Sequence, residues 1–256
     1  MAQKTISHIF NSYANIGISN SMSFSLSLPL IINRSIENNL DVKETNIGDM
    51  SALFRYFSSP RLFAKPTNLQ LSLGTTIPTG KGVTNVVTNE KNFVSDSYNP
   101  ILNLIAAIMI KPGWSFDTRF YTRQILSYDD NRTKIGDLYA YGFNVSYAPV
   151  GSSYALNSQV KFINRGQDIF NDVLFNNSGG DYIYLTPGFS KVIFGEGETA
   201  IRMWSEVDIP LYQYVHGNQL TEKFNFRVGF NFGLNLFGHK EEVKPHSHDT
   251  EKSIFD

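Results

Sequence analysis

Arg119, Tyr121 and Arg123 stand at alternate positions of one stretch, and Arg202, Glu206 and Asp208 share one parity of another. Alternate residues of an extended chain point to the same side, so each set lines one face of a strand with charge or hydroxyl. Asp117 precedes Arg119 at the same parity, and Arg55, Lys161 and Arg227 hold equivalent places in further stretches. Guanidinium, ammonium and carboxylate groups gathered around a watery interior can form a constriction that selects permeating solutes. They can equally pair with one another and fill the interior, as the side chains of small barrels do. Arginine and lysine outnumber the acids in this set, which favours anionic solutes if a path is open.

Other chemistries fail on spacing. Cysteine is absent, which removes disulfides, thiolate metal sites and cysteine nucleophiles together. Gly195 to Ala200 matches a dinucleotide-binding pattern, yet it links two strands with no helix after it. Gly80-Lys81 lacks both the correctly placed earlier glycine and the following Ser/Thr of a phosphate loop. His246 and His248, with His239 nearby, sit in a polar stretch where solvation explains them more simply than a metal. Asp129, Asp130 and Asn131 lack calcium-loop spacing and read as a solvated turn. His8 and Ser12 share a strand face, but four residues along a strand is about 13 Å, too far for a base to reach a nucleophile. No catalytic residue, metal site or cofactor is expected.

The elements that carry the charges alternate throughout. Phe224, Phe226, Val228, Phe230, Phe232, Leu234 and Leu236 put an apolar residue at every second position, with Asn225, Arg227, Gly229, Asn231, Gly233 and Asn235 between them. Met22 to Ile32, Leu69 to Ile77, Trp114 to Phe120, Tyr139 to Tyr147, Tyr154 to Phe162 and Ile201 to Leu211 repeat the pattern. Weaker strands are expected over Ile6 to Ser19, Met50 to Phe57, Ile101 to Ile110 and Tyr182 to Ile193, giving about eleven in all. A tilted strand of about 10 residues spans a bilayer, and period-2 alternation suits a wall between lipid and water.

Composition agrees. The chain has 256 residues with 14% aromatic and 18% charged residues, a balance that suits aromatic girdles and a lipid-facing band. Mean hydropathy is only -0.20, as expected when apolar and polar positions cancel along each strand. The longest apolar run, Leu104 to Ile110, falls far short of the roughly 20 residues of a spanning helix, so a helical membrane protein is excluded. Net charge is -1, which leaves no electrostatic footprint for nucleic acid. A soluble lipid-binding barrel would have to turn the phenylalanine-rich face inward and Arg119 and Arg202 outward.

Connections alternate between short (Ser19 to Ser21, Lys111 to Gly113, Pro149 to Ser152, Gly195 to Glu198, with Ser58 to Pro66 somewhat longer) and long (Arg34 to Gly48, Gly80 to Asn99, Ser127 to Gly136, Asn164 to Asp181). Short periplasmic turns and long external loops give the chain a direction. Counting back from a final strand that descends, the first visible strand also descends. An even-stranded barrel then expects one more strand and a signal segment upstream of Thr5, about 12 strands in all. A miscounted register or an odd-stranded barrel are the alternatives. The fold expected is thus an all-β antiparallel transmembrane barrel over residues 1-237 with a polar tail over 238-256.

Gly48-Asp49-Met50, then Leu71 with Gly74 and Pro78-Thr79-Gly80-Lys81, followed in order by Gly136-Asp137, Gly179-Gly180, Tyr184-Leu185-Thr186-Pro187-Gly188, Ile209 to Gln213 and Gly217 to Leu220, resemble an outer-membrane β-barrel family catalogued as meta-pathway phenol-degradation proteins, often called transporters. The resemblance spans roughly Thr5 to Phe237, and it departs in lacking a first strand and in the tail after Phe237. It implies a bacterial outer-membrane location and the movement of small hydrophobic or aromatic molecules. Expected partners are membrane lipids, the assembly machinery that reads a C-terminal aromatic strand, and proteins docking on the long loops or tail. Two functions stay open: a channel or transporter with a charged lumen, and an occluded barrel serving as an outer-membrane subunit or anchor of a larger complex.

Overall fold

The computed structural model describes residues 4–37, 40–62, 65–80, 97–128, 132–195, 200–217, 221 and 223–231. In chain order its strands are β1 (Lys4–Ser19), β2 (Met22–Glu37), β3 (Leu40–Ile47), β4 (Met50–Ser58), β5 (Arg61–Leu62), β6 (Lys65–Ile77), β7 (Asn99–Lys111) and β8 (Trp114–Arg123). They continue through β9 (Thr133–Lys134), β10 (Leu138–Tyr147), β11 (Tyr154–Arg165), β12 (Ile169–Phe170), β13 (Val173–Leu174), β14 (Gly180–Phe194), β15 (Ile201–Val215) and β16 (Asn225–Asn231). One antiparallel path, β1-β2-β4-β6-β7-β8-β10-β11-β14-β15-β16, joins each long strand to its neighbours in sequence. All eleven expected strands are on this path. Among the described residues β1 and β16 are its two ends and do not pair with each other.

The register sorts side chains into rows. Leu71, Leu104, Phe120, Tyr141, Phe162 and Ile183 are successive cross-strand partners on one face. Arg55, Ser72, Asn103 and Tyr121 are successive partners on the other. The two faces are inverted relative to a soluble domain. Ser72 and Thr186 are 0% exposed and Asn144 4%, while Phe143 is 48% exposed and Phe226 59%. Exposed polar groups would be costly against lipid, and apolar groups are not, so the apolar face is the outer face. Aromatic pairs stitch it across strands: Trp114 and Tyr147 have ring centroids 4.8 Å apart, Phe120 and Tyr141 5.0 Å. The fold is an antiparallel transmembrane β-barrel.

Three features depart from the alternation. Arg34 to Gly48 is not a loop: β2 runs on to Glu37 and β3 pairs with it from Leu30↔Ile47 to Glu37↔Leu40. In sequence Asn38, Glu44 and Asn46 fall in phase with Ile36, Leu40 and Val42 and interrupt the apolar period, even though the backbone is a hairpin. The chain leaves β3 at Gly48, whose N–H donates to Pro29 O at 2.8 Å, and β4 then pairs with the other half of β2. A second departure is a bulge: Tyr184 faces Pro210 but Ile183 faces Tyr212, leaving Leu211 over. Proline cannot donate to the ladder and is tolerated at bulges. The shift puts Tyr212 rather than Leu211 opposite outward-facing Ile183. Third, the connections after β8 and β11 are not independent loops. They meet in a small sheet, β13-β12-β9.

Some expected features lie outside the described residues: Phe232, Leu234 and Leu236 of the last strand, the tail 238–256 with His239, His246 and His248, and most of Gly80 to Asn99. Asp129, Asp130 and Asn131 and most of the Gly195 to Ala200 link do so as well.

Candidate solute-binding lumen

Every expected charged site residue in the described strands lies on the inner face, because register carries parity from strand to strand. Asp117 on β8 faces Asn144 on β10, Arg119 faces Gly142, and Gly142 in turn faces Lys161 on β11. Lys161 faces Tyr184 on β14, and Glu206 on β15 faces Arg227 on β16.

Two clusters form. In the first, Arg119 Nε donates to Asp117 Oδ1 at 2.8 Å and Asn144 Nδ2 donates to Asp117 Oδ2 at 2.6 Å. Asp117 is buried, and both its oxygens accept a hydrogen bond, with Arg119 supplying the balancing charge. Arg119 spends only Nε in this pair, and its side chain stays 49% exposed, leaving the guanidinium's terminal fork facing the lumen.

In the second cluster Asp208 is the hub. Lys161 Nζ, Thr186 Oγ1 (2.6 Å) and Arg227 Nη2 (3.1 Å) all donate to its Oδ1. The same Arg227 nitrogen donates to Glu206 Oε2 at 3.0 Å. The network joins β11, β14, β15 and β16, four consecutive strands of the path. Two carboxylates face two cations, so the cluster is neutral as a unit.

Arg55, Tyr121, Arg123 and Arg202 belong to neither cluster. Arg55 lies between Ser23 and Ser72 in register, within electrostatic reach of Tyr13 on β1. Tyr121 and Arg123 stand two residues apart on one face of β8. The Nε atoms of Arg55 and Arg123 are buried without a hydrogen-bond partner. Arg202, exposed, faces Val192 and Asn231. Among the described residues no carboxylate forms an ion pair with Arg55, Arg123 or Arg202. With both clusters neutral, these three arginines add positive charge to the inner face among the described residues.

Three inner residues escape the sequence reading. Thr186 and Asn144 complete the two clusters, and alternation alone placed Asn144 on the polar face without giving it a role. Trp204 faces Ser190 and Gly229, on the same side as Arg202 and Glu206. A Cβ added to Gly229 would come within 2.5 Å of the Trp204 indole, so glycine there makes room for the ring. An aromatic residue on a polar face runs against the period and gives no signal in one sequence.

Several landmark residues of the resemblance act at the rim with the longer connections. Met50 N donates to Thr79 Oγ1 at 2.9 Å and Gly80 N to Asp49 Oδ1 at 3.2 Å, so Gly48-Asp49-Met50 and Thr79-Gly80 clasp each other. Ile125 N donates to Asp137 Oδ1 at 2.8 Å, and Gly136 N to Asp168 Oδ1 at 2.8 Å. Arg165 Nη2 reaches both Asp168 oxygens, at 2.9 and 3.0 Å. A Cβ at Gly136 would meet Gly166 O at 1.9 Å, which explains a glycine at this crossing.

No protein-family model and no curated protein sequence matches the chain. Among solved structures, the crystal structure of an outer-membrane channel from Pseudomonas putida F1 is similar, with a TM-score of 0.64 at 13% identity, covering 89% of this chain and 82% of that one. The chain shares that channel's fold.

Proposed function

We propose that the chain is a bacterial outer-membrane channel for small solutes, with a cationic lumen that favours anions. The observation that carries this reading is the separation of faces: charged side chains inside, two clusters neutral, and Arg55, Arg123 and Arg202 without a carboxylate partner among the described residues. The likeness to a solved outer-membrane channel supports it. Conductance of the protein in planar bilayers tests it, with discrete anion-preferring openings expected and a sealed bilayer contradicting it.

A second reading, an occluded structural barrel, draws on the Asp208 network. Four strands tied by charge-assisted bonds fill part of the interior with side chains. It expects no current from the wild type and protein subunits that co-purify with it.

A further inference from the structure

The outer face carries a depression that the channel reading does not use. In the register Ser58↔Leu69, Leu69↔Ala106 and Ala106↔Thr118, three of four side chains are small. The row beside it holds Tyr56, Leu71, Leu104, Phe120 and Tyr141, all large. The step between the rows makes an apolar groove of about 650 Å³. That size is within the ~300–1,000 Å³ of small-molecule sites.

Gln70, Ile105 and Arg119, the inward row of the same strands, also border the groove, whose other lining residues lie on the outer face. β6 and β7 pair without interruption from Thr67↔Ile108 to Thr76↔Asn99, and β7 and β8 from Ile101↔Arg123 to Met109↔Ser115. An occupant therefore lies on the wall, where lipid is.

At the short-turn end of the same strands stand two lysines. Lys65 Nζ donates to Ile110 O at 3.3 Å, which leaves donors free, and Lys111 Nζ lies 5.2 Å over the Trp114 ring. Trp114 packs on Tyr147 on the outer face, the arrangement that marks the headgroup level in membrane proteins. From Ile110 to Ala106 is four strand residues, about 13 Å, a distance an extended acyl chain covers. Cationic groups at the headgroup level and an apolar groove one chain-length above match an anionic phosphate joined to a hydrocarbon tail.

We propose that this face is a site for one glycerophospholipid, with an acyl chain against Ala106 and Thr118 and the phosphate held by Lys65 and Lys111. The proposal rests on the membrane reading. It is tested by native mass spectrometry of the detergent-purified protein, stripped and then titrated with phosphatidylglycerol or with diacylglycerol, beside insertion into liposomes. The wild type should retain one phosphatidylglycerol roughly tenfold more strongly than diacylglycerol. Ala106→Trp, which fills the floor, and the double variant Lys65→Glu/Lys111→Glu should each reduce that retention about tenfold, while Val228→Trp, on the outer face of β16, should not. The lysine variant leaves the groove's packing untouched, and heat-shifted gel mobility verifies that each variant is folded. Insertion with no phospholipid retained, or with equal retention in all variants, overturns the site and leaves the membrane reading standing. Equal retention of diacylglycerol overturns the phosphate assignment, and failure to insert at all overturns both.

Discussion

Thr186 Oγ1 donates to Asp208 Oδ1 at 2.6 Å from a side chain with no solvent exposure. A carboxylate that is itself 6% exposed is stable only when its donors compensate for lost hydration. Thr186→Val keeps the shape and removes the donor. Thermal unfolding in detergent should fall by the equivalent of about 1–3 kcal/mol, whereas an unchanged midpoint would mean that Lys161 and Arg227 alone satisfy Asp208.

Lys161 and Asp208 should behave as a unit. Lys161→Met leaves Asp208 short of its closest cation, with an expected loss of about 3–5 kcal/mol. Lys161→Met/Asp208→Leu removes both charges and should recover most of that loss. Urea unfolding from lipid vesicles measures the coupling, and simple additivity of the single variants would remove the network from the account.

Gly229 and Trp204 predict a steric conflict. In Gly229→Ala the new methyl meets the indole at 2.5 Å, so the ring must move. The expected cost is about 1–3 kcal/mol, with a shifted tryptophan emission. In a Trp204→Ala background the same substitution should cost little. An equal cost in both backgrounds would place the strain in the β16 backbone.

Asp137 ties the start of one long connection through Ile125 N, beside an Ile125 side chain that is 2% exposed. Asp137→Ala should release residues 124–137 to limited proteolysis while leaving barrel mobility on gels unchanged. Resistance equal to wild type would show that the β9 and β12 pairing suffices to hold the segment.

The wall was legible in the sequence because lipid on one side and water on the other impose period 2 on each strand. Phe224 to Phe230 and Tyr139 to Tyr147 show this directly. Legibility stopped where that constraint stops. Arg34 to Gly48 read as a loop because Asn38, Glu44 and Asn46 break the period that Ile36, Leu40 and Val42 begin. The bulge at Leu211 shifts parity inside a run that still looks alternating. Trp204 sits inward because Gly229 opposite has no side chain, a pairing invisible until β15 and β16 are in register. Alternation placed Lys161, Glu206, Asp208 and Arg227 on one face, but which of them touch depends on strand order and shear, and so did the role of Thr186. The residual cationic character came out only once the paired charges were known, with Arg55, Arg123 and Arg202 left over.

The most direct test of the central claim is single-channel recording in planar bilayers under a salt gradient. Discrete openings with a reversal potential on the anion side are expected, with lower conductance and weaker anion preference in Arg119→Ala and Arg202→Ala. A bilayer that stays sealed, or currents with the same conductance and selectivity in the wild type and both variants, would contradict it.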